Sequence, residues 1–92
     1  MSQKQIHFTA SGRVQGVFFR ANTQDLAKSY GLTGWVRNLQ NGNVEGVAEG
    51  EEVELKRFIE ELEESPGASK VDELQVEWKP SKGEFQEFKI VY

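Results

Sequence analysis

Gly12-Arg13-Val14-Gln15-Gly16-Val17-Phe18-Phe19-Arg20 joins two runs of different period. Ahead of it, Ile6, Phe8 and Ala10 alternate with His7, Thr9 and Ser11, the two-residue repeat of a half-buried strand. Behind it, Leu26, Ala27 and Tyr30 recur at helical spacing between Ala21 and Tyr30, and Gly31 supplies a left-handed stop. The junction is therefore a strand-to-helix turn with two glycines and two arginines. Glycine lets a backbone fold tightly with its N–H groups turned inward. A helix start adds unpaired N–H groups and the positive end of a dipole. Arg20 adds a planar, permanently charged fork. Together these make an anion cradle, for which phosphate is the usual occupant. The same residues also suit a plain corner whose glycines serve geometry and whose arginines are solvated. Two phosphate loops are excluded. No Lys-Ser or Lys-Thr follows the glycines, and Gly12 and Gly16 lack dinucleotide-binding spacing.

Working outward, the first strand is expected from Lys4 to Arg13, with Ile6, Phe8 and Ala10 buried. Leu32 to Leu39 and Val44 to Glu49 flank Gln40-Asn41-Gly42-Asn43, and Asn-Gly between two extended runs predicts a hairpin. Glu51 to Glu64 puts Leu55, Phe58, Ile59 and Leu62 on one helical stripe, which Ser65-Pro66-Gly67 breaks. Val71 to Trp78 alternates through Leu74, Val76 and Trp78. Phe88, Ile90 and Tyr92 alternate again after the turn from Lys79 to Gly83. Strand, helix, strand, strand, helix, strand and a short last strand is the split β-α-β order of ferredoxin-like folds. It predicts an α+β sandwich, an antiparallel sheet of four to five strands with two helices on one face. Ninety-two residues suit one domain, residues 1–92, burying roughly 60–65% of the unfolded surface.

The formal net charge is −4, which looks wrong for an anion binder until it is divided along the chain. Residues 1–44 hold Lys4, Arg13, Arg20, Lys28 and Arg37 against Asp25 alone, whereas Glu dominates residues 45–64 as the wet face of a helix. The cradle lies in the positive part. A nucleic-acid binder would carry a basic stripe, and this chain has none, so no nucleic-acid partner is expected. The start, Met1-Ser2-Gln3-Lys4-Gln5, is too polar for a signal peptide, and no apolar run approaches membrane length. The absence of cysteine removes disulfides, zinc thiolates and thiol nucleophiles. A cytoplasmic monomer with no membrane contact is expected.

A second polar feature is Gly34-Trp35-Val36-Arg37-Asn38. In a split β-α-β unit this strand runs parallel to the first, so Asn38 lies at the same sheet edge as the cradle. Asparagine both donates and accepts, so it can hold and aim a water without changing charge. It also favours the approach to a turn by bonding nearby backbone, and both roles remain open for Asn38 on local grounds.

Gly12 to Arg20 resembles the first signature of the acylphosphatase family. Gly34 to Asn38, followed by Gly42-Asn43-Val44 and Gly50, resembles its second. Ser65-Pro66-Gly67 with Lys70-Val71 and the Phe88-Lys89-Ile90 tail extend the likeness over nearly the whole chain. Phe18 falls where the family varies. The resemblance implies hydrolysis of the carboxyl–phosphate bond of small-molecule acyl phosphates to carboxylate and inorganic phosphate, without metal or cofactor. It implies that the backbone of Gln15, Gly16, Val17, Phe18, Phe19 and Arg20 cradles the phosphoryl group. The Arg20 guanidinium would clamp that group, and Asn38 would position the attacking water. Larger hydrogenase-maturation proteins carry similar domains, but they are long chains, whereas this one ends at Tyr92.

The residue inventory is consistent with that chemistry. The only histidine, His7, lies six residues before Arg13, roughly 20 Å along an extended strand, and is expected on the open sheet face. Asp25 is the nearest acid in sequence after Arg20 and is expected to be solvated. Such a site can offer hydrogen bonds and positive charge but no nucleophile for a phosphoenzyme. It suits a leaving group that departs unaided, as a carboxylate does and an ordinary alkoxide does not. An RNA reader of the same fold would display aromatics on its central strands. His7, Thr9 and Ser11 on one, and Val44 to Ala48 on the other, offer none.

Overall fold

The computed structural model describes residues 2–16, 18–65 and 67–92. Alternation in the first run produces β1 (Gln3–Arg13), and Phe19–Ser29 forms α1. β2 (Thr33–Asn38) and β3 (Val44–Glu51) make the expected hairpin. Then come α2 (Glu52–Glu63), β4 (Lys70–Pro80) and β5 (Phe88–Ile90). The sheet order is β4-β1-β3-β2-β5. β1 and β2 both pair antiparallel with β3, so they run parallel to each other and end at the same edge.

The sheet departs from the expected antiparallel one in a single ladder, because β5 runs parallel to β2. The cause is topological. β4 is antiparallel to β1 at one edge of the sheet, and the chain must cross to the other edge before adding β5. β5 therefore starts at the end where β4 finishes and follows the direction of β2. The crossing segment 81–87 is held by Glu49, whose carboxylate accepts the backbone N–H of Lys82 at 2.8 Å and of Gly83 at 2.9 Å. The Gln5 side chain donates a third bond at 3.1 Å. Buried acids require such donors, and Glu49 is buried.

The helices cover one face of the sheet. α1 lies against β2 and β5, and α2 against β1, β3 and β4. Between them sit Ile6, Phe8, Ala10, Val36, Val44, Ala48 and Phe88 from the sheet, with Phe19, Ala27, Leu55, Phe58 and Leu62 from the helices. The Phe58 ring meets Phe8 edge-on at 5.7 Å and Phe88 at 6.3 Å, fastening α2 to both an inner and an outer strand. Each such buried ring contributes about 1.5–3 kcal/mol over its exposed state. β4 is an edge strand, so the alternating Leu74 and Val76 are only half-buried and Trp78 is exposed.

Candidate active site

The site begins where β1 loses its regular ladder. The register with β4 shifts between Ser11 and Gly12, and Gly12 has φ +116°. A Cβ there would collide with the Lys70 carbonyl and crowd the Asp72 amide, so the chain can leave the sheet at this point only as glycine. Gly16 turns left-handed again at φ +74° with open space where a side chain would stand. Phe18 is also left-handed, at φ 61°, and the helix starts immediately after it. α1 therefore begins at Phe19, two residues before the expected Ala21, which puts Arg20 inside its first turn.

That helix start is electrically bare. No side chain caps it, and no acid occupies its first turn, whereas α2 carries Glu52 and Glu54 in the same position. Asn22 N–H bonds the Phe18 carbonyl at 2.9 Å, leaving the N–H groups of Phe19, Arg20 and Ala21 without partners within the helix. The N–H groups of Gln15, Gly16 and Phe18 make no backbone hydrogen bond to another described residue. A run of free donors at the positive end of a dipole attracts an anion.

Gly16, Phe18, Phe19, Arg20 and Asn38 line one pocket of about 350 Å³, together with Val14, Ala21, Ile90 and Tyr92. Arg20 supplies the charge. Among the described residues no carboxylate lies within 4.0 Å of its guanidinium. Its planar group instead lies 4.9 Å from the centre of the Tyr92 ring, a cation–π contact that orients the fork without neutralising it. Asn38, exposed at the last position of β2, joins the pocket from the other side. The described lining holds no Asp, Glu or His side chain. His7 is on the open sheet face, 2.7 Å from Glu45, and Asp25 is exposed on α1. Among the described residues no cluster of three or more His, Asp or Glu could hold a metal ion.

The Gln15 side chain is not in the pocket lining; its amide donates to the carbonyls of Leu39 and Asn43, both at 2.8 Å. It fastens the loop to the β2–β3 hairpin, whose own closure is Leu39 N–H to Asn43 O at 2.8 Å. Val17, expected to contribute to the cradle, lies outside the described residues. Two contributors were missed by the sequence reading. Tyr92 alternates with Phe88 and Ile90, yet it stands beyond the end of β5, exposed against Arg20. Ile90 comes to the pocket through the parallel pairing of β5, which no local pattern announced.

A family model described as Acylphosphatase matches residues 6–90. The chain is 44% identical over 92 residues to an acylphosphatase of Pelotomaculum thermopropionicum, covering all of both sequences. It is 45% identical over 92 residues to one of Marinobacter nauticus, again covering all of both. Its fold superposes on the crystal structure of acylphosphatase from Bacillus subtilis with a TM-score of 0.91, at 41% identity over 97% of this chain and 99% of that one. With two long signatures in the sequence, one pocket that unites them and full-length similarity of this kind, the chain belongs to the acylphosphatase family and so to the hydrolases.

Proposed function

We propose that the chain hydrolyses acyl phosphates by direct attack of water on the phosphoryl group. The observation that carries this reading is the union, in one pocket, of an uncapped helix start, the unneutralised Arg20 fork and the neutral amide of Asn38. The phosphoryl oxygens sit among the N–H groups of the loop from Gln15 to Arg20, and the Arg20 guanidinium holds two of them bidentately. Asn38 holds the water, accepting from it with its carbonyl oxygen and donating from its amide. Phosphoryl transfer with a loose transition state asks for positioning and charge stabilisation, which donors and a fixed cation provide. The carboxylate leaves as a stable anion and needs no acid to protonate it. With no Asp, Glu or His side chain in the described lining, the water's proton goes to a phosphoryl oxygen of the substrate.

The same reading takes residues 1–92 as one domain working as a cytoplasmic monomer on small molecules. A core shared by both helices and the sheet supports the single domain. The experiment is hydrolysis of benzoyl phosphate beside 4-nitrophenyl phosphate with chelator present. Turnover of the acyl phosphate alone, unchanged by chelator, is expected. Equal turnover of both substrates, or dependence on an added metal, would overturn the mechanism.

A further inference from the structure

We infer that the outer rim of the pocket reads the acyl end of the substrate and favours an aromatic acyl group, with Phe18 and Tyr92 as its two walls; this rests on the hydrolytic reading above. Among the described residues four large apolar side chains are exposed, and two of them, Phe18 at 81% and Tyr92 at 99%, line this one pocket. The others, Val53 on α2 and Trp78 on β4, lie elsewhere. Phe18 is the more telling. Residue 18 is left-handed, a conformation that glycine or asparagine adopts with less strain than any bulky side chain. The turn therefore accounts for the backbone but not for a phenyl group held in solvent. A strained aromatic at a pocket mouth points to a ligand contact.

Tyr92 faces Arg20 with part of one ring surface, and that contact covers little of it. With the phosphoryl group among the N–H groups near Gly16 and Arg20, the acyl carbon points outward. A planar ring attached to that carbon reaches the mouth and packs offset or edge-on against the two aromatic walls. An acetyl group offers no ring to pack against either wall. The rim thus adds selectivity at the end of the substrate that the cradle does not address.

The test is the affinity of two non-hydrolysable analogues, benzoylphosphonate and acetylphosphonate, measured by calorimetry alongside turnover of the corresponding phosphates. The protein is expected to bind the benzoyl analogue roughly tenfold more tightly, the worth of one or two aromatic contacts. Phe18→Asn keeps a residue that tolerates the left-handed turn and should lower the ratio to about threefold, the share of the Tyr92 wall, while Phe18→Trp retains it. Tyr92→Leu, which leaves the loop intact, should lower the ratio roughly threefold. A benzoyl-to-acetyl ratio unchanged in both Phe18→Asn and Tyr92→Leu overturns the rim. If the phosphates are hydrolysed with no aromatic preference, the rim fails and the hydrolytic reading stands. If the aromatic preference is present but neither phosphate is hydrolysed, the reverse holds.

Discussion

The side-chain amide of Gln15 donates to the carbonyl oxygen of Leu39 at 2.8 Å, fastening the loop ahead of α1 to the strand end that carries Asn38. The second amide hydrogen goes to Asn43 O, also at 2.8 Å. Both donors of one residue therefore set the distance between the two halves of the site. Gln15→Leu should cost about 1–2 kcal/mol of stability through two lost bonds. It should also reduce kcat/KM for an acyl phosphate more than tenfold, because small misplacements of a positioned group are expensive in rate. Thermal melting and steady-state kinetics check the two effects. Full activity in a destabilised variant would show that the tie serves only the fold.

Glu49 anchors the crossing segment in a different way. Its two carboxylate oxygens take the N–H groups of Lys82 and Gly83, and an amide in its place offers a single acceptor oxygen. Glu49→Gln should therefore lose about 1–3 kcal/mol by orphaning one backbone donor. Hydrogen exchange at Lys82 and Gly83 should quicken well beyond the change in the β1–β3 ladder. Equal loss of protection throughout would mean that the segment opens only with the whole molecule.

Acid sensitivity should trace partly to Glu45. Its bond from His7 at 2.7 Å, together with bonds from Arg37 at 2.8 Å, holds its carboxyl below the ordinary value of 4.5, against the opposing effect of partial burial. A carboxylate with a depressed folded-state pKa adds stability that is present above 4.5 and is lost as pH falls through the folded value. Glu45→Gln should thus be less stable at pH 7, by about 1 kcal/mol or less for so exposed a cluster. Urea titrations should show the gap to the unaltered protein narrowing at pH below 4.5. A gap that stays constant with pH would remove Glu45 from the acid response.

The elements with a repeating pattern could be read from the chain. Ile6, Phe8 and Ala10 on β1 and the Leu55, Phe58 and Leu62 stripe of α2 are buried as their periods predict. Topology then carried Asn38 to the edge of the cradle, because strands one and two of a split β-α-β unit must run parallel. What could not be read lies in contacts between distant segments. Glu49 looked like one more glutamate of an acidic run; its partners are more than thirty residues away in an aperiodic loop. Val14 to Phe18 has no period, so nothing local indicated that α1 begins at Phe19 or that Phe18 would be left-handed. Trp78 and Tyr92 alternate with core residues, yet the first is on an edge strand and the second stands past the end of one. Alternation marks a face of a strand and is silent on whether anything covers it.

The most direct test of the mechanism is Asn38→Ala, with kcat for an acyl phosphate and the inhibition constant of inorganic phosphate measured on the same preparation. A group that only aims the water matters once reaction begins, so kcat should fall by two to three orders of magnitude, roughly the worth of one well-placed catalytic contact, while phosphate inhibits at close to its original concentration. Loss of phosphate inhibition in step with kcat would contradict the account, making Asn38 a phosphate ligand or a structural residue.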